Sequence, residues 1–101
     1  MITFEYRFDI LPGKGKDYQK YLARAGKDIW FKFPGVRAVR VYQSKLGGSS
    51  PQRVVQVDLA NLAALEKILD NPAFKKAKET FHGLVTNVSD SLLVQVSEKK
   101  R

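Results

Sequence analysis

Residues 2 to 10 alternate without a break. Ile2, Phe4, Tyr6, Phe8 and Ile10 take one set of positions, and Thr3, Glu5, Arg7 and Asp9 the other. A period of two over nine residues is a β-strand with one apolar face, and that face is aromatic. Such a strand needs a layer to cover one side and leaves the other side polar. Leu11-Pro12-Gly13-Lys14-Gly15 then turns the chain.

The next segment changes period. Tyr18, Tyr21, Leu22, Ala25, Ile29 and Phe33 form one stripe of a helix expected from about Asp17 to Phe33. Pro34-Gly35 stops it, because proline disfavours helix in the residue before it and glycine permits the turn. A second strand is expected over residues 36–46, a Gly47-Gly48-Ser49-Ser50-Pro51 hairpin loop after it, and a third strand over residues 53–59. Val39 and Val41, like Val55, Val57 and Leu59, belong to the apolar side.

Asn61 is placed to cap a helix carrying Leu62, Leu65, Ile68 and Leu69. Asp70-Asn71-Pro72 breaks that helix and starts another, with Asn71 as cap and Pro72 in the first turn. Phe74, Ala77 and Phe81 make its inner stripe, fading near Gly83. Leu92, Val94 and Val96 alternate in an expected last strand. The order is strand–helix–strand–strand–helix–strand. Right-handed crossovers convert it into a ferredoxin-like α+β fold, a four-stranded antiparallel sheet with the helices on one face. Residues 1–97 are expected to form one such domain, followed by a basic tail at 98–101.

The uncovered sheet face should carry Thr3, Glu5, Arg7, Ala38, Arg40, Tyr42, Val54, Gln56, Asp58, Leu93 and Gln95. This mixture fits a half-solvated antiparallel sheet, and it equally fits a partner sheet that pairs the charges and covers the aliphatic members.

The chain resembles the dimeric α+β barrel superfamily, which includes the antibiotic-biosynthesis-monooxygenase, EthD-like and NIPSNAP-like families. Phe33-Pro34-Gly35-Val36, Val39-Arg40-Val41-Tyr42-Gln43, the Gly47-Gly48 hairpin, the segment Leu59 to Leu65 and Asn71-Pro72-Ala73-Phe74 carry the likeness, which extends over nearly the whole sequence. The resemblance implies a homodimer in which two sheets pack into a barrel, with a ligand cleft between each sheet and its helices.

Composition narrows the function classes. There is no cysteine, so disulfides and thiolate metal sites are excluded and a cytoplasmic location is the expectation. No apolar run approaches the ~20 residues of a membrane span, and no signal peptide is expected. The net charge is +8. Lys16, Lys20, Arg24 and Lys27 step along the first helix, and Lys75, Lys76 and Lys78 crowd the last one. These read as solvated helix faces. The third strand, Arg53 to Leu59, lacks the aromatics on which an RNA-recognition domain stacks bases, so nucleic acid is not the expected partner.

With one histidine and no acidic cluster at ligand spacing, no metal and no cofactor are expected. Some haem-degrading members of the superfamily use an Asn on strand one, a Trp in the cleft and a His on the last helix; this chain has His82 on its last helix, but strand one has no Asn and Trp30 lies on the first helix. The expected partner is a small apolar or aromatic molecule. Candidate cleft residues are Phe4, Tyr6, Trp30 and Phe33, with Trp30 offset from the inner stripe at the cleft mouth. His82, beside Phe81, is the candidate acid–base group, since imidazole alone among side chains titrates near neutrality. A monooxygenase-like enzyme without a cofactor is one reading, a non-catalytic binding or interaction module of the same fold is another, and a binder of nucleic acid or an anionic surface through the basic helix faces is a third, less favoured one.

Overall fold

A computed structural model describes residues 1–26, 28–46 and 50–101, with the backbone alone at 25, 26 and 28. The expectations for Lys27 and for the Gly47-Gly48-Ser49 part of the hairpin lie outside the described residues.

Four strands form one antiparallel sheet: β1 (Ile2–Ile10), β2 (Val36–Gln43), β3 (Arg53–Leu59) and β4 (Val85–Val94). Their order is β2-β3-β1-β4, so the aromatic strand is central. This is the ferredoxin-like arrangement. The slab measures 39 × 38 × 20 Å, with one face of the sheet covered and the other open.

Register keeps the predicted faces. Phe4 pairs with Val57 and Tyr6 with Val55, which puts the apolar sets of β1 and β3 on one side. Phe8 is 1% exposed, and Val57 and Leu59, further along the same face, are fully buried. Each such side chain contributes roughly 1.5–3 kcal/mol by leaving water. The core is strongly aromatic: Phe8 and Phe81 meet edge-on at 4.8 Å between ring centroids, and Trp30 and Phe74 at 4.9 Å.

The helix ends follow their signals. Asn61 Oδ1 accepts from the Ala64 N–H at 2.9 Å and caps α3 (Leu62–Asp70). Asn71 Oδ1 accepts from Ala73 and Phe74 N–H and caps α4 (Pro72–His82), with Pro72 in the first turn. Gly35 has φ +90°, and a Cβ there would stand 2.7 Å from that of Ala64. Only glycine combines that backbone with so close a helix.

The first helix departs from expectation. It begins at Gly15 as α1 (Gly15–Tyr21), passes through a π-helical turn at Leu22–Gly26, and resumes as α2 (Asp28–Phe31). A π turn takes up one more residue than an α turn, so every later side chain is displaced by about 100°. The inward position thereby moves from Ile29 to Trp30. Ile29 is half-buried and Trp30 is 3% exposed. Trp30 therefore sits in the core, and the offset position expected for it is corrected.

The last strand also differs. It starts at Val85, several residues before Leu92, and ends at Val94, leaving Val96 exposed outside it. Its register shifts opposite Phe8, between Arg7 and Asp9. Asn87 adopts φ 55° at this irregularity and donates from Nδ2 to Asp9 Oδ2 at 3.0 Å. Strand two is shorter than expected, ending at Gln43.

Candidate functional site

Where α4 and the first helix cross the sheet they leave a cavity of about 260 Å³. β1 supplies Phe4 and Tyr6 as its floor, and Trp30 closes the inner end. Phe74, Ala77 and Phe81 come from the inner stripe of α4. Tyr21 and Ile29 flank the π turn, and Leu69 comes from α3. Val88 and Asp90 of β4 form the remaining wall, with Lys78 and His82 at the helix side.

The aromatic rings hold one another in place. Tyr6 lies 5.8 Å from Phe4 and 6.4 Å from Trp30, and meets Phe81 nearly perpendicular at 5.8 Å. The indole Nε1 of Trp30 donates to the Tyr6 hydroxyl oxygen at 3.4 Å. The hydroxyl oxygen is thus engaged as an acceptor while its own proton is left to donate. Burial pushes the ionisation of Tyr6 far upward. It stays a neutral phenol near neutral pH and acts as a donor rather than a base. Burial also raises Tyr21.

Four of the five sequence candidates, Phe4, Tyr6, Trp30 and His82, line this one cavity. Phe33 is not among its lining residues: half-buried, it packs against Phe74 at 6.1 Å. His82 is exposed at the rim, its ring 5.7 Å from that of Phe81. Lys78, Tyr21 and Asp90 were not among the candidates. Lys78 stands four residues after Phe74 and four before His82, one line along a helix. Asp90 shares the face of Leu92 and Val94 once β4 is extended upstream. Among the described residues no three His, Cys, Asp or Glu side chains stand together as a metal site.

The opposite sheet face is different in kind. Arg40 makes two 2.7 Å bonds to the Asp58 carboxylate, and Thr3 donates to Asp58 Oδ1 at 2.7 Å. Arg40 Nε also donates to Gln56 Oε1, and Gln56 Nε2 donates to Glu5 at 2.9 Å. Glu5 is ion-paired with Arg7, which reaches Ser89 and Ser91 of β4 at 3.2 and 2.9 Å. Hydrogen bonds therefore cross all four strands. The charges that a partner sheet was expected to pair are already paired within one chain.

The sequence matches no family model and no curated protein. Solved structures share its fold. One is SnoaB of Streptomyces nogalater, described as a cofactor-independent oxygenase, at a TM-score of 0.80 and 16% identity, over 96% of this chain and 94% of that one. A candidate antibiotic biosynthesis monooxygenase of Deinococcus radiodurans superposes at 0.79 with 14% identity, covering 100% and 98%. A dimeric protein of ferredoxin-like fold from Bacteroides fragilis gives 0.73 with 10% identity, covering 91% and 93%. The chain thus has the ferredoxin-like α+β fold of these structures. No helix among the described residues is long and apolar enough to cross a membrane.

Proposed function

We propose that this protein binds an apolar, aromatic small molecule in the cavity beneath its helices, and that it does so as a homodimer. The observation that carries the reading is the cavity itself. It combines six aromatic side chains with a few polar groups, the usual make-up of a small-molecule site. Phe4, Trp30, Phe74 and Phe81 supply contact area, and Tyr6 supplies one directed hydrogen-bond donor.

The dimer rests on the open face. A slab 20 Å thick leaves its whole sheet face uncovered, with Tyr42 and Leu93 exposed among the paired charges. A second sheet on this face gives a two-fold barrel, and an isologous contact needs no other partner. The superposing protein of Bacteroides fragilis is described as dimeric.

SnoaB's description as a cofactor-independent oxygenase favours a chemistry for the bound molecule, its direct reaction with dioxygen. In that reading His82 moves the proton and Tyr6 hydrogen-bonds the oxygen on which charge develops, as donor groups do in sites of this kind. The binding-module reading keeps the same cavity without turnover.

Native mass spectrometry tests the proposal. It should record twice the 11.4 kDa chain mass. It should also record one phenylnaphthylamine taken up per chain when that uncharged aromatic is added. A monomer at micromolar concentration contradicts the barrel, and a chain that takes up no aromatic contradicts the binding function.

A further inference from the structure

The charges at the cavity are not symmetric. Lys78 and His82 stand one helical turn apart on α4 and both line it, so their heads flank the same side of the opening. Lys78 is exposed and makes no ion pair among the described residues. Its aliphatic stem extends the apolar wall while its ammonium remains in water, the usual behaviour of a long cationic side chain. The carboxylate of the site, Asp90, lies on the β4 wall in register with Tyr6, and it too has no ion-pair partner among the described residues. Lys78 and Asp90 sit on different elements, α4 and β4, and form no ion pair with each other, so the two walls of the opening carry opposite charge.

We infer that the ligand is an amphipathic anion, with a flat apolar body in the aromatic cavity and an acidic head group held at the mouth by Lys78, beside His82. This rests on the proposed small-molecule function and names its ligand class. The head group faces α4, because Asp90 repels a negative charge on the opposite wall. The field of the molecule acts in the same sense. The net charge is +8, and Lys16, Lys20, Lys75 and Lys76 are exposed on the same helices, so anions are drawn toward this layer. An aromatic cavity beside a carboxylate also suits an organic cation. Two basic side chains at the mouth and the positive field oppose that choice.

Two fluorescent probes separate body from charge: anilinonaphthalene sulfonate, and phenylnaphthylamine, which has the same ring system without the sulfonate. The quantity to follow is the ratio of their affinities. Lys78→Gln should lower the ratio in favour of the sulfonate about tenfold, the equivalent of one charge-assisted contact. Lys75→Gln, which removes the same charge from the same helix outside the cavity, should leave it unchanged. Asp90→Asn should raise it about twofold to threefold by removing a like charge. Binding of both probes with a ratio indifferent to Lys78→Gln overturns the anion inference and leaves the cavity reading standing. Equal effects of Lys75→Gln and Lys78→Gln overturn it as well, since only bulk charge is then at work. Displacement of the neutral probe by tetraethylammonium assigns the cavity to cations. Failure of both probes to bind overturns the inference and the binding function together.

Discussion

The two faces of one sheet solve opposite problems. On the helix side, β1 presents Phe4, Tyr6 and Phe8 to a layer that cannot fill all the space between them, and a cavity remains. On the open side the same strand presents Thr3, Glu5 and Arg7 to neighbours that satisfy them completely, from Arg40 at one edge to Ser91 at the other. The polar face is rigid in chemistry and finished within the chain, so a second sheet can meet it without leaving charges unpaired. The aromatic face is dense but incomplete, which is the condition for holding a small molecule.

The strongest way to break this contrast is at the core. Phe8→Ala should destabilise the fold by about 3–5 kcal/mol in denaturant titration, as for other buried aromatics. A loss below 1 kcal/mol would mean that the strand is out of register. The polar face should respond less. Asp58→Asn weakens a two-bond pair with Arg40, whose side chain is 40% exposed, so screening limits the loss to about 1–2 kcal/mol. Thr3→Val removes one hydrogen bond to the same carboxylate and should cost about 1 kcal/mol or less. If Thr3→Val cost as much as Phe8→Ala, the faces would not differ as described.

Acid should act on the open face first. Asp58 is held below the usual carboxylate range by its bonds from Arg40, and Asp9 by its bonds from Ser50, Asn87 and the Gln52 N–H. The unfolded chain takes up these protons at higher pH than the folded one. The stabilisation is therefore complete above the ordinary carboxylate pKa of about 3.9 and is lost as pH falls through the lower folded values. The thermal midpoint should fall below about pH 4, and Asp58→Asn should flatten that fall. A midpoint unchanged between neutral pH and pH 3 would remove the carboxylates from the account.

Much of this architecture is legible in the sequence, for physical reasons. Alternation fixes strand parity wherever one face is buried, which is why the open-face set from Thr3 to Asp58 could be read directly. Asn61, Asn71-Pro72 and Pro34-Gly35 are stereochemical signals that act locally. Two features were not legible. The π turn at Leu22–Gly26 has no composition of its own, yet it rotates Trp30 into the core and sets one wall of the cavity. The first half of β4, Val85 to Ser91, reads as a loop because it is rich in Ser, Asn and Asp. Its serines are there to receive Arg7, and its Asn87 to shape the irregularity. Asp90 was missed with that strand, and Lys78 because a lysine on a basic helix reads as solvated. Phe33, an aromatic at helical spacing, packs against Phe74 outside this cavity.

On this proposal the helix-side cavity, and not the polar sheet face, is the functional site. The chain has one tryptophan, so its indole N–H is a single resolved reporter inside the cavity. A proton–nitrogen NMR titration with anilinonaphthalene sulfonate tests the claim most directly. The Trp30 indole resonance and the backbone amides of Tyr6, Phe81 and His82 should shift together and saturate, while those of Arg40, Gln56 and Ser91 stay in place. Shifts confined to Arg40, Gln56 and Ser91, with Trp30 unmoved, would contradict it.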